Sequence, residues 1–174
     1  MDILGHHQQV LQVLKERFGD KEIVGIEIGT ACGDLTKTLL REFPNLKKLY
    51  TIDPWTHRDG AEFEASLPQD HHNIAKEHAY NALKEFGDRV VILPMGSDEA
   101  VRLMSEYVDF VWIDGDHTGE QVKRDIDNYD PLIRDGGIIG GHDFGQVPHL
   151  TEQIKAKYGE EIKSGGDFTW WVYL

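Results

Sequence analysis

Apolar positions along the chain fall into two alternating rhythms, one of helical spacing and one of short continuous runs. Ile3, Leu4, His7, Leu11, Leu14 and Phe18 recur every three or four residues, so the first segment is predicted helical, with Gly19 as its stop. Ile23 to Ile28 is then a solid apolar run interrupted by Gly25 and Glu27, the signature of a buried strand. Leu35, Leu39, Leu40 and Phe43 mark a second helix that ends before Pro44. Leu49–Ile52, Arg89–Leu93, Val108–Ile113 and Gly137–Gly140 read as further strands. Short or amphipathic helical segments carry Val101, Leu103 and Met104, then Val122, Ile126 and Tyr129, and finally Ile154 and Tyr158. The chain closes on an apolar, aromatic strand, Phe168 to Leu174.

Nearly continuous apolar strands separated by helices require a parallel sheet covered on both faces. The predicted architecture is therefore α/β, a Rossmann-like doubly wound, mostly parallel sheet with helices on both faces. Ligands of such sheets collect at the carboxyl ends of the strands. Residues 54–70 break the alternation; they are polar and turn-rich, and with the residues to 80 they form an insert at that edge. It reads either as a lid over the acceptor site or as a plain surface loop.

Composition narrows the picture. A chain of 174 residues suffices for one domain, expected to span residues 1–174. Eighteen basic against 31 acidic residues give a net charge of −13, which disfavours nucleic acid and anionic membrane surfaces as partners. No apolar run approaches the ~20 residues that cross a bilayer, and Met1–His7 lacks the basic and apolar regions of a secretion signal. The lone Cys32 cannot form an internal disulfide. A cytoplasmic location is the expectation.

The first strand runs directly into Glu27-Ile28-Gly29-Thr30-Ala31-Cys32-Gly33 and a helix. Glycines there permit tight turning and close approach to a ligand. A dinucleotide fingerprint would need glycine at positions 27, 29 and 32, and only Gly29 is present. Glu27 would also repel a pyrophosphate, whereas it suits a ligand carrying an amino group and a sulfonium. Asp53 ends the second strand 24 residues after Gly29, where a carboxylate binds a ribose diol, although a turn aspartate before Pro54 is the competing account. Gly96-Ser97 follows the third strand, where Ser97 is either an adenine contact or an ordinary helix N-cap.

Together, Glu27-x-Gly29-x-x-x-Gly33, Asp53, Gly96-Ser97, Ile113-Asp114-Gly115-Asp116-His117 and Gly136-Gly137-Ile138-Ile139-Gly140-Gly141-His142-Asp143 resemble the class I S-adenosylmethionine (SAM)-dependent methyltransferases. Within that class they look like a small family related to the metal-dependent O-methyltransferases. The resemblance covers about residues 23–145. It implies a seven-stranded sheet with an antiparallel last hairpin, SAM over strands one to four, and a small-molecule acceptor above strands four and five. By position, Glu27, Gly29 and Gly33 would serve the methionine end of SAM, Asp53 its ribose, and Gly96 and Ser97 its adenine. Asp114 would stand between cofactor and acceptor. One departure is that His142-Asp143 occupies the place of the family's usual Asp followed by Asp or Asn.

The fourth and fifth strands thus deliver Asp114, Asp116, His117, His142 and Asp143 to one edge. Thr118-Gly119-Glu120-Gln121 reads as a capping box that starts the next helix and leaves Asp116 and His117 in the loop. Two readings compete. In one, Asp114, His142 and Asp143 hold a divalent cation, Mg²⁺ or Mn²⁺, while His117 takes the acceptor's proton. In the other, Asp116 and Asp143 are turn residues and the histidines are satisfied by backbone. Alternatives to the methyltransferase are a nicotinamide oxidoreductase, a metal-dependent oxygenase or hydrolase, and a non-catalytic SAM-binding protein. The aromatic end, Trp170 to Tyr173, is either a buried strand or half of a homodimer contact.

Overall fold

The computed structural model describes residues 3–59 and 63–174. Residues 1, 2 and 60–62 lie outside them, as do the side chains of Ile3 and Leu4 that the sequence assigns to the first helical face. In chain order the elements are α1 (Ile3–Phe18), β1 (Ile23–Ile28), α2 (Asp34–Glu42), β2 (Leu46–Ile52), α3 (Gln69–Leu83) and β3 (Val90–Leu93). There follow α4 (Ser97–Ala100), β4 (Val108–Ile113), α5 (Gly119–Tyr129), β5 (Ile133–Gly141), α6 (Pro148–Tyr158), β6 (Lys163–Ser164) and β7 (Trp170–Tyr173). The sheet order is β3-β2-β1-β4-β5-β7-β6. All pairs from β3 across to β5 are parallel; β7 is antiparallel to both β5 and β6. The chain winds outward from β1 to β3, then returns to β4 on the other side, so the topological switch lies between β1 and β4.

Strand alternation sorts the core into two layers. On one face Ile26 and Ile28 of β1, Val111 and Ile113 of β4 and Ile139 of β5 pack against Val122 and Ile126 of α5 and Leu150 and Ile154 of α6. On the other, Phe110 and Trp112 of β4 and Ile138 of β5 pack with Val10, Val13, Leu14 and Phe18 of α1 and Leu35, Leu39 and Leu40 of α2. Both faces are therefore dry, which is why the strands read as unbroken apolar runs. Gly25 is part of this packing: a Cβ there would lie 2.2 Å from the Phe110 ring.

Several expectations are adjusted. The buried stripe of α1 centres on Val10, Val13, Leu14 and Phe18, with His7 and Leu11 only half-buried at its border. β2 and β5 begin earlier than their apolar runs, at Leu46 and Ile133, and β6 has no apolar signal at all. The helix near Val101 is α4 itself, continued by a single 3₁₀ turn whose Leu103 is 57% exposed. The larger correction concerns the insert. Residues 69–83 are helix α3, whose inner side buries only Ala79 and Leu83, too thin an apolar stripe to stand out by periodicity. The capping box holds, with the Thr118 hydroxyl accepting from the Gln121 amide at 3.3 Å. The aromatic end is a strand within the sheet, its Trp170 and Val172 buried. Among the described residues no helix is long and apolar enough to cross a membrane.

Phe110→Ala should test the layer joint. It removes a fully buried ring seated on Gly25, and chemical denaturation should show a loss of ~3–5 kcal/mol. A loss under ~1 kcal/mol would mean that the layers close over the cavity.

Candidate active site

Four strands overrun their carboxyl ends by one residue, and each overrun is tied to the strand beside it. The amides of Gly29, Asp53, Asp114 and His142 donate to the carbonyls of Ile52, Leu93, Ile28 and Ile113, at 2.8, 3.2, 2.8 and 3.2 Å. These bonds extend the parallel ladder and set four sequence-flagged positions in one row. At the switch the row is tight. Gly29 has φ +100°, and a Cβ there would lie 2.0 Å from the Asp114 carbonyl oxygen. Its glycine is thus demanded by the crossing of two loops, a reason the sequence motif does not reveal.

The half expected to meet the cofactor is built from the loops after β1 and β2, which bond to one another. Asp53 accepts from the Ala31 amide (2.9 Å) and the Trp55 amide (2.7 Å), and the Trp55 indole donates to the Ala31 carbonyl (2.9 Å). Burial pushes the Asp53 carboxyl up, opposed by these amides and by the charge of His72. Asp53 is therefore a turn aspartate whose carboxylate nonetheless stays half-buried at the strand edge. Gly33 opens α2 with φ +83°, and a Cβ there would come within 3.3 Å of Ala79 on α3.

Glu27 lies beneath this loop, fully buried on the α2 face. Its Oε2 accepts from the hydroxyls of Thr36 and Thr51 (3.0 Å to Thr51), and Thr51 is joined to Thr30 at 2.5 Å. Burial without a cation in contact pushes its carboxyl up to about 8, the two threonine bonds offsetting only part of the effect. Ser97 is not the N-cap; that position is Gly96, where a Cβ would meet nothing. The Ser97 hydroxyl donates to Asp125 at 2.6 Å and accepts from Gln121 at 3.1 Å, while its carbonyl accepts from Tyr129 at 2.8 Å.

The half expected to meet the acceptor lies at the ends of β4 and β5. One ligand atom from each of Asp114, His117 and Asp143 falls within 4.8 Å of the others. His117 Nε2 is 3.3 Å from Asp143 Oδ2, and His142 Nδ1 is 3.3 Å from Asp143 Oδ1. Burial alone would raise Asp143, but the His142 bond and the two imidazole charges outweigh it and hold the carboxyl below its ordinary range. His142 is pushed up to about 9, chiefly by its bond to Asp143. Of the expected cation set, Asp114 and Asp143 lie in this cluster with His117 beside them, and His142 contacts Asp143 through its other oxygen. Two carboxylates and one imidazole at this spacing fit a hard divalent cation such as Mg²⁺ or Mn²⁺.

Asp116 takes the role of a turn residue, accepting from the Thr118 amide at 2.8 Å, and it also pairs with Arg58 of the insert. His149 of α6 contacts the His117 carbonyl at 2.9 Å. Trp55, Arg58, His72, Asp125 and His149 were not singled out as site residues in the sequence, since each belongs to a segment without a motif. His57 is occupied within the insert, with Leu67 and Asp59. The four described non-glycine residues with positive φ, Ala31, Trp55, Asp143 and Phe168, are all in loops around this edge, and such strain gathers where function fixes the backbone.

A sequence model described as a methyltransferase domain matches residues 26–144, from mid-β1 to just past the His142-Asp143 pair. The chain belongs to this methyltransferase family. Solved structures agree on the class I, SAM-dependent fold. CalS11, a calicheamicin methyltransferase, superposes with TM-score 0.72 at 16% identity, over 95% of this chain and 77% of that one. An O-methyltransferase from Bacillus cereus, in complex with SAH, gives 0.67 at 15%, covering 100% and 82%. An rRNA methylase from Streptococcus thermophilus gives 0.62 at 11%, covering 95% and 92%. At these identities the methyltransferase shares their fold, and acceptors as different as RNA and small molecules occur on it.

The buried acid yields a testable pH dependence. The folded protein holds the Glu27 proton up to about pH 8, whereas an unfolded carboxyl releases it near 4.5. The native state therefore binds more protons in that window, and stability falls as pH rises from 4.5 to 8. Glu27→Gln should flatten this slope and, above pH 8, gain about 5 kcal/mol on the wild type relative to their difference below pH 4.5. Parallel stability curves for the two proteins between pH 5 and 9 would show instead that Glu27 is ionised throughout.

Proposed function

We propose that this methyltransferase transfers the methyl group of SAM to a hydroxyl of a small-molecule acceptor, with His117 taking the hydroxyl proton. The observation that carries this reading is the convergence of Asp114, His117 and Asp143 next to the glycine loop, across the Gly29–Asp114 crossing. The acceptor oxygen forms a bond to the methyl carbon as the carbon–sulfur bond breaks. The sulfonium becomes a neutral thioether, and the proton passes to the imidazole.

His117 suits the role of base. With Asp143 Oδ2 against Nε2, a neutral ring carries its proton on Nε2 and presents Nδ1 as the basic nitrogen. Asp114 and Asp143 would also hold a divalent cation, leaving the His117 lone pair for the proton. Bound there, it would supply Lewis-acid activation of the hydroxyl. The carboxylate of Asp53, Gly29 and Gly33 of the loop above Glu27, and the Gly96-Ser97 turn are assigned to SAM.

Charge favours a small acceptor over RNA. The chain carries −13 overall, and Asp114, Asp116 and Asp143 crowd the acceptor edge, a field that repels a phosphate backbone. CalS11, described as a TDP-rhamnose 3′-O-methyltransferase, shows that the fold accommodates hydroxyl acceptors of that size. The clustered base and carboxylates likewise favour an enzyme over a non-catalytic SAM-binding protein.

His117→Ala should lower the maximal rate of SAM turnover by ~10²–10⁴ at unchanged SAM affinity, measured as S-adenosylhomocysteine (SAH) release with a panel of hydroxylated acceptors. A full rate would assign His117 to structure. Asp53→Ala should weaken SAM by ~1–3 kcal/mol in calorimetry. Manganese titration followed by electron paramagnetic resonance should show one bound ion that Asp143→Ala loses; no binding to the wild type would remove the cation.

A further inference from the structure

Helix α3 sends one polar side chain along an otherwise apolar inner stripe. Ala75, Ala79 and Leu83 follow each other at helical spacing, Ala79 and Leu83 are buried, and Ala79 packs against Gly33 of the cofactor loop. One turn before Ala75 the same stripe carries His72, at the end of α3 that reaches the strand edge. Its neighbours on α3 are tied to the cofactor loops. Gln69 donates to the Trp55 carbonyl and accepts from the His57 amide, at 2.9 and 3.0 Å; Lys76 stacks over the Trp55 ring at 5.9 Å; and His78 meets the Cys32 carbonyl at 3.2 Å. The placement of α3 against these loops is therefore held at several points along its length.

His72 Nε2 is sealed from solvent and has no hydrogen-bond partner among the described residues. A buried ring nitrogen left so is unfavourable by about 1–3 kcal/mol, and natural proteins rarely retain one without use. Asp53 is close enough to feel the imidazole charge, which draws its carboxyl down. Yet no ion pair within 4.0 Å joins the two. Asp53 spends its contacts on the amides of Ala31 and Trp55, which still leaves each oxygen a lone pair. Near one another at the strand edge thus stand an acceptor with lone pairs to spare and an imidazole with one ring nitrogen unpaired, complementary groups for a hydroxyl.

We propose that His72 is a cofactor-binding residue that, opposite Asp53, recognises a ribose hydroxyl of the adenosine moiety. The inference rests on the assignment of Asp53 to the ribose of SAM. A diol offers two donors and two acceptors. Asp53 takes donated hydrogens, and an imidazole ring N–H donates to a diol oxygen, so the two side chains read complementary halves of one group. An insert that looks like a lid in sequence then has a second use, because its helix supplies a wall of the cofactor site.

The test uses the full-length protein, calorimetry, and three ligands: SAH, its 2′-deoxy form and its 3′-deoxy form. Wild-type protein should bind SAH about tenfold more tightly than at least one deoxy form. His72→Ala should weaken SAH by a similar factor while leaving that deoxy form unchanged, so the discrimination collapses. His72→Gln, which keeps a donor, should recover part of it, and unfolding temperatures of all variants guard against a folding defect. Unchanged SAH affinity in a folded His72→Ala protein would overturn the proposal. So would an equal loss for SAH and both deoxy forms, which would mark a purely structural histidine. Wild-type protein that bound neither SAM nor SAH would instead overturn the cofactor assignment itself, and this proposal with it.

Discussion

The site depends on one constraint, the overrun of a parallel ladder by a single residue at four neighbouring strands. A parallel pair spaces its bonds evenly, so an amide just beyond a strand end still finds a carbonyl on the adjacent strand. Gly29, Asp53, Asp114 and His142 all use that bond. Their backbones are thereby fixed by the sheet, although their side chains or loops belong to the candidate site. The tightest point is where β1 and β4 part. There the loop after β1 lies so close to the Asp114 carbonyl that only a residue without Cβ fits at position 29. The loops that follow β1 and β4 are consequently in backbone contact.

Gathering so many acids at one edge of an acidic chain requires each charge to be managed, and the structure does so in four ways. Glu27 is withdrawn into the core among threonine hydroxyls, where the neutral acid is favoured. Asp53 is held by two backbone amides, Asp116 by an amide and the Arg58 guanidinium, and Asp143 by two imidazoles. Asp114, in line with the cofactor loop, completes the cluster that suits a cation.

Much of the fold was legible in the sequence because both sheet faces are covered. Double burial made β1 and β4 unbroken apolar runs, and the same burial required glycine where strands and loops meet. The site was legible where strand ends coincide with motifs, as at Asp53, Asp114 and Asp143. It was not legible where a contact depends on how two distant segments pack. Helix α3 buries two side chains and so leaves no amphipathic signature, which hid His72. Whether His117 or His142 would join the carboxylates turns on backbone geometry at Asp143, whose φ of +64° is a conformation that no spacing rule anticipates. Ser97 is a similar case: a helix-start serine usually caps, but here the fully buried Asp125 lies 2.6 Å away and takes its hydroxyl instead.

That bond points to the part α5 plays in joining the two halves. The helix is capped by Thr118, one residue beyond His117, so its N-terminus sets the loop that bears this histidine. Further along, Asp125, Gln121 and Tyr129 hold Ser97, while Arg124 and Asn128 hold Asp98 at 3.2 and 3.0 Å. Five side chains of one helix thus fasten the turn at Ser97 and Asp98, and the same helix carries the His117 loop at its tip. Neither can shift without the other. Positioning of two reactants can supply ~7–11 kcal/mol of a barrier only when their relative placement is held within a fraction of an ångström. A single helix spanning both loops is an economical way to keep that placement.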